Sequence, residues 1–172
     1  DGIRDYKVTG VQTCALPISE PLVPRHLRRE VEERVDGRGN VVTPLDMSSV
    51  ERAVEDLLTS EVESIAICLL NSPANPEHEQ RIADVVRAKS KDVAISVSSQ
   101  VLPMFSEYER TSEAVLNAYV MPLVCNYLRT LESELARIGI KAPLYIMQSS
   151  GGMTTPANSM SRPRSEEHTS EL

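Results

Sequence analysis

Residues 64–97 read SIAICLLNSPANPEHEQRIADVVRAKSKDVAISV, and this stretch decides the fold. Ser64-Ile65-Ala66-Ile67-Cys68-Leu69-Leu70 is a short continuous apolar run, the pattern of a strand covered on both faces in a parallel sheet. Asn75-Pro76 then opens a helix, with Asn as the cap and Pro at the first helical position. Ile82, Val85 and Val86 give that helix its inner face. Val93-Ala94-Ile95-Ser96-Val97 is a second strand. Strand, helix, strand in this order predicts an α/β fold with a mostly parallel sheet.

The flanking sequence extends the pattern. Upstream, Val50, Ala53, Val54, Leu57 and Leu58 fall at helical spacing and form one apolar stripe. Asp46 or Ser48 can cap that helix, and Ser48 with Glu51 has capping-box spacing. Before it, Asp36-Gly37-Arg38-Gly39-Asn40 is a turn-forming cluster between apolar positions. It predicts a hairpin with arms at 29–35 and 40–43, although Val31 and Val35 also satisfy helical spacing. Downstream, a long helix is expected over about 111–138 with the stripe Leu116, Val120, Leu123, Tyr127, Leu131, Leu135 and Ile138. Pro122 inside it should kink it, and Gly139 should end it. Leu144-Tyr145-Ile146-Met147 is a third strand. Ligands of such sheets bind at the carboxyl ends of strands, which singles out the loops at 71–75 and 148–152.

Composition bounds the function. The chain has 172 residues, a net charge of −7 and 41% apolar residues, a globular composition. The acidic balance argues against nucleic acid, whose phosphates need clustered Lys and Arg. Aromatics are 3% with no Trp, so platforms for base stacking are not expected. No apolar run approaches the roughly 20 residues of a membrane span. The three Cys have neither disulfide-like nor zinc-like spacing, and no metal site is expected. A reducing cytoplasm is the expected compartment.

The two ends differ from the middle. Residues 1–19, DGIRDYKVTGVQTCALPIS, have no helical, strand or targeting pattern, and VTGVQTCALPIS resembles the translation of a sequencing-library adapter. RSEEHTSEL at 164–172 resembles the opposite adapter strand. Both ends are therefore set aside from fold reasoning. They hold three of the 18 basic and five of the 25 acidic residues, which leaves the middle at net −5. Residues 20–163 are expected to be a fragment truncated at both ends.

Four constellations could carry chemistry. Gln148-Ser149-Ser150-Gly151-Gly152 follows a strand, and its glycines let backbone N–H groups approach an anion. It is neither a Walker loop nor G-x-G-x-x-G, so a tight turn is the simpler reading. Glu107-Tyr108-Glu109-Arg110-Thr111 places two carboxylates, a phenol and a guanidinium just before the long helix. Offsetting the helix dipole is the structural role; recognition by Arg110, with Glu107 or Glu109 as acid or base, is the functional one. His78, between Glu77 and Glu79, lacks a second His for a metal motif, so a capping or surface role is expected. Cys68 and Cys125 read as small core hydrophobes.

The middle of the chain resembles the hydantoinase A/5-oxoprolinase family. The stretches that carry this are REVEERVDGRGNVVTPLD at 29–46, ESIAICLLNSPANPEHEQRIADVV at 63–86, SSQVLPMFSEYERTSEAVLNAYVMPLV at 98–124 and LYIMQSSGG at 144–152. The resemblance implies a partial actin-like ATPase fold, with the end of the family's N-terminal region at 20–105 and the start of its core domain at 106–163. It implies an ATP-dependent opening of a cyclic amide such as a hydantoin or 5-oxoproline. A carboxylase β-type subunit acting on a ketone and a non-catalytic actin-fold module are the alternatives. ATP and Mg²⁺, a B-type partner subunit and a homo-oligomer are implied for the parent protein, with no tight nucleotide binding expected from residues 20–163 alone. Glu107, Tyr108, Glu109, Arg110, Thr111, Asn117 and Tyr119 match the family's signature, as do Gln148, Ser149, Gly151 and Gly152. Ser150 departs from it where Asn is usual. No catalytic residue is assigned.

Overall fold

The computed structural model describes residues 22–147 and 152–161. The adapter-like ends, 1–19 and 164–172, lie outside the described residues. A 3-10 turn at Arg25–Leu27 leads into β1 (Arg34–Val35) and β2 (Val41–Thr43), an antiparallel hairpin with Arg34 opposite Thr43 and Val35 opposite Val41. The first arm is far shorter than 29–35, because the Glu32 backbone is engaged elsewhere: its N–H donates to Ser49 Oγ (3.1 Å) and its carbonyl accepts from the Asp46 N–H (2.9 Å). Asp36 builds the turn: its carboxylate accepts from the backbone N–H groups of Arg38 (2.8 Å) and Asn40 (2.9 Å) and from Asn40 Nδ2 (2.9 Å). Those donors, the Asn40 side chain first, hold its pKa below the usual carboxylate value. Gly39 has φ 88°, and a Cβ there would lie 2.8 Å from the Ala74 carbonyl oxygen. Only glycine fits both the turn and this approach.

Helix α1 (Met47–Thr59) is capped by Asp46, whose carboxylate accepts from the N–H groups of Ser48 and Ser49, both at 3.1 Å. It buries Val50, Ala53 and Val54, the expected stripe. Strand β3 (Ser64–Ile67) follows, then α2 (Glu77–Lys89) and β4 (Ala94–Val97). Asn75 does accept from the Glu77 N–H (3.1 Å), but the helix starts one residue after Pro76. β3 and β4 are parallel, in the register Ile65 opposite Ile95 and Ile67 opposite Val97. Ile65, Ile67 and Val97 face α1 and α2, where Leu45, Val50, Val54, Ile82, Ala83 and Val86 complete the core.

After a short helix α3 (Ser98–Val101), α4 (Glu107–Arg137) crosses the other face of both strands. Residues 107–111 are thus its first turn, not the approach to it. It runs through Pro122 and ends at Gly139 (φ 85°), whose N–H donates to the Ala136 carbonyl while the Ile140 N–H reaches the Leu135 carbonyl. The buried side of α4 is Arg110, Ala114, Asn117, Ala118, Met121 and Leu128, and the expected apolar stripe is not the inner face. Leu123 and Tyr127 are 75% and 63% exposed. The reason is steric and polar. Ala114 and Ala118 let the helix lie close on the sheet, and Arg110 and Asn117 find partners inside it.

The third strand is two residues long. β5 (Ile146–Met147) pairs antiparallel with β6 (Met153–Thr154) and does not extend the parallel sheet. The chain returns within five residues, so a local partner is nearer than the edge of β3–β4. Helix α5 (Pro156–Ser161) then packs on α4.

Asp46→Ala is expected to lower the thermal midpoint by a few degrees at neutral pH, because two helix N–H groups lose their acceptor. Hydrogen bonding to Ser48 lowers the folded pKa of Asp46 from 3.8. Its contribution is therefore present above 3.8 and lost as pH falls through the lower folded value. Circular-dichroism melts over an acid pH series should show the variant's deficit vanishing in that window, not near neutrality.

Candidate functional site

The carboxyl ends of β3 and β4 carry a buried polar cluster. The apolar run 64–70 leaves the ladder after Ile67, and side chains take over its backbone groups. The Leu69 N–H donates to Glu79 Oε1 (2.8 Å), and the Leu69 carbonyl accepts from Arg110 Nη2 (2.6 Å). Glu79, on α2, also accepts from Ser98 Oγ at Oε1 (2.6 Å) and from the Ser99 N–H at Oε2 (2.9 Å). Arg110, on α4, donates through Nε to Ser98 Oγ (3.1 Å), through Nη1 to the Met104 carbonyl (2.9 Å) and through Nη2 to the Glu107 carboxylate. Both Glu79 and Arg110 are fully buried. Ser98 stands between the opposite charges. Its single proton goes to Glu79, so it accepts from Arg110 and, at 3.4 Å, from Ser72 Oγ.

The other predicted residues distribute around this cluster. Glu107 uses its second oxygen to accept from the Asn71 N–H (3.2 Å). Asn71 sits at φ 56° and its Nδ2 donates to the Val35 carbonyl (2.9 Å), tying the strand-end loop to the hairpin. Asn117 is fully buried; its Nδ2 donates to Ser96 Oγ (3.1 Å), and its Oδ1 has no partner among the described residues. Tyr108 is 81% exposed, and Glu109 and Thr111 are exposed too. Ser106 Oγ donates to Glu109 and holds its pKa below the usual carboxylate value. The cluster 107–111 therefore divides by side: Arg110 points in, and Tyr108, Glu109 and Thr111 point out. Gln148, Ser149, Ser150 and Gly151 lie outside the described residues, and Gly152 is exposed.

Two buried ionisable residues were missed as such by sequence reasoning. His78 is not a surface residue: Nδ1 lies 2.7 Å from Glu33 Oε2, and both side chains are almost fully buried. Glu79 is the anchor described above. A signal existed, since 78 and 79 precede Ile82, Ala83 and Val86 by helical spacing and so lie on the apolar stripe of α2.

The cluster can brace, but it offers no metal or phosphate cradle. Among the described residues no group of three His, Cys, Asp or Glu side chains is placed to hold a metal ion. Arg110 has no exposed surface, and its Nε, Nη1 and Nη2 each donate within the chain. Cys68 is no nucleophile: burial, with the Glu79 carboxylate adding to it, pushes its thiol up to about 12. No described helix is long and apolar enough to cross a membrane.

The family described as the hydantoinase/oxoprolinase N-terminal region matches residues 2–90, and the family described as hydantoinase/oxoprolinase matches residues 110–166. The caprolactamase subunit alpha of Pseudomonas jessenii is 36% identical over 137 residues, 80% of this chain and 20% of that protein. The crystal structure of the ATP-dependent caprolactamase from Pseudomonas jessenii superposes with a TM-score of 0.76 at 34% identity, over 83% of this chain and 20% of that one. The acetone carboxylase beta subunit of Xanthobacter autotrophicus is 34% identical over 136 residues, 77% of this chain and 19% of that protein. The chain spans about a fifth of the length of these relatives.

Arg110→Met is expected to destabilise the fold by about 3–5 kcal/mol, since it leaves Glu79 and the Leu69 carbonyl short of their buried partner. Combining it with Glu79→Gln should cost less than the sum of the two single changes, as expected for members of one network. Urea unfolding of the four proteins measures both. Alkylation by iodoacetamide at mildly alkaline pH, read by peptide mass spectrometry, should spare Cys68 in the folded chain and modify it once urea unfolds the protein.

Proposed function

Because this chain belongs to the hydantoinase/oxoprolinase family, we propose that it is part of an ATP-dependent enzyme that opens a cyclic amide ring, of the hydantoin, 5-oxoproline or lactam class. The observation that carries this reading is the superposition on an ATP-dependent caprolactamase at a TM-score of 0.76 with 34% identity. A ketone carboxylase subunit is the second reading. It rests on the acetone carboxylase beta subunit, 34% identical, and on the nucleotide-free acetone carboxylase structure, with a TM-score of 0.70 at 30% identity. Both comparisons fall slightly below those with caprolactamase, which ranks the amide reading first.

The overall reaction consumes a cyclic amide, ATP and water and yields the ring-opened amino acid or ureido acid, ADP and phosphate. An amide oxygen is a poor phosphoryl acceptor, so positioning and charge neutralisation must supply most of the catalysis. Mg²⁺ is the usual source of that neutralisation, but the described residues do not fit it, so those duties fall to other parts of the enzyme.

The part assigned to this chain is mechanical. Arg110, Glu107 and Asn117 are positioning residues, supported by their burial and their bonds to strand-end backbone and side chains. Tyr108, Glu109 and Thr111 present an outward edge for recognition of substrate or of another protein surface, supported by their exposure. The strand-end loop at 148–152 belongs to the same proposal. A partner subunit of B type fits the naming of the caprolactamase and acetone carboxylase relatives as subunits.

The test begins with the coding DNA on both sides of the segment for residues 20–163. The contiguous gene, expressed with its neighbouring subunit genes, should release ADP when given a hydantoin, 5-oxoproline or a lactam. ADP release only with a ketone and bicarbonate would transfer the protein to the carboxylase reading. A contiguous gene without acidic and Gly-rich phosphate loops, inert with every substrate, would favour the non-catalytic module.

A further inference from the structure

The two family matches cover residues 2–90 and 110–166 and leave residues 91–109 between them. A segment between independent domains is ordinarily exposed and crossed by few contacts. Residues 91–109 are the reverse. They contain β4, which pairs in parallel with β3 from Ser64 opposite Ala94 to Ile67 opposite Val97. Ser96, Val97 and Ser98 are 1%, 2% and 0% exposed. The first block meets β4 edge to edge through β3, and the second lies across both strands as α4.

We propose that the two family blocks form one cooperative body, joined rigidly through β4 and α3, with no hinge between residues 64 and 121. Side chains of the second block close on the first. Arg110 Nη2 donates to the Leu69 carbonyl (2.6 Å) and Nε to Ser98 Oγ (3.1 Å), and Ser98 Oγ donates on to Glu79 Oε1 (2.6 Å). Arg110 and Glu79 have no exposed surface, so parting the blocks would leave a buried guanidinium and a buried carboxylate short of partners. Asn117 repeats the clamp two turns along α4, where its Nδ2 donates to Ser96 Oγ (3.1 Å). A hinge needs loop residues free to change φ and ψ. The loop between α3 and α4 is the one candidate in 98–107, and it is bridged. Met104 donates its N–H to the Leu102 carbonyl (2.8 Å) and accepts at its own carbonyl from Arg110 Nη1 (2.9 Å).

Two solved relatives keep this arrangement. The caprolactamase superposes over 83% of the chain and the nucleotide-free acetone carboxylase over 84%, each more than either block holds. Their TM-scores are 0.76 and 0.70, so a single superposition spans both blocks in each. The division between the blocks is thus one of sequence families and not of moving parts. A motion of the longer protein must turn about points outside 64–121.

Hydrogen exchange of the full 172-residue chain over a series of sub-denaturing urea concentrations tests this. Amides of β3, α2, β4 and residues 107–121 should converge on one opening reaction with a common urea dependence. Asn117→Ala, in the second block, should speed exchange in β3 and α2 about tenfold. Ala83→Gly, at a fully buried position of α2, should speed it about tenfold in the first half of α4. A purely local role would leave those distant amides unmoved. Two separate opening reactions, one for 64–89 and one for 107–121, would overturn the proposal, as would a substitution whose effect stays within its own block. If either variant unfolds outright, the urea series of the unsubstituted chain decides between one opening and two. No substrate enters the measurement, so its outcome is independent of the proposed reaction.

Discussion

The structure hangs on a guanidinium and a carboxylate held apart by one hydroxyl. Arg110 and Glu79 come from helices on opposite faces of the β3–β4 sheet, and Ser98, at the end of β4, joins them. Burying either charge alone would be costly, and here each is met by several hydrogen bonds. The arrangement fastens the two helical layers and both strand ends at one point. It also explains why β3 stops at Ile67 although the apolar run continues to Leu70. From there on, side chains supply the partners that a neighbouring strand would otherwise give.

The same logic reaches outward to the hairpin. Glu107 holds the Asn71 N–H, Asn71 holds the Val35 carbonyl, and Asn75 Nδ2 holds the Gly39 carbonyl (3.0 Å). His78 and Glu33 close the same seam from α2. The hairpin is only two and three residues long in its arms, too little to be stable alone. Its geometry comes from the loop it grips.

Legibility in the sequence followed the physics of each element. The β-α-β unit was readable because an apolar run, a capped amphipathic helix and a second run leave few alternatives. The inner face of α4 was not readable, because periodicity counts apolar residues and this face is built from alanines, an arginine and an asparagine. Residue size and buried hydrogen bonds decided the docking, and neither shows in an apolar pattern. The site was half readable. The cluster at 107–111 was recognisable as a unit, but Arg110 drew notice as a recognition residue and Glu79 drew none. Their pairing through Ser98 is a long-range contact that no local signal encodes. The third strand was placed in the right stretch, while its partner depended on how quickly the chain returns.

Pro122 gives α4 an internal division. Lacking an amide hydrogen, it leaves the Ala118 carbonyl without its usual helical donor, at a point where the helix is still seated on the sheet. Most of the seated residues precede that point, and beyond Leu128 the helix is largely exposed. The two halves therefore have different mechanics. The first is fixed by packing on the sheet, and the second is seated only around Leu128 and Cys125, so the network at the strand ends bears on one side of the proline alone.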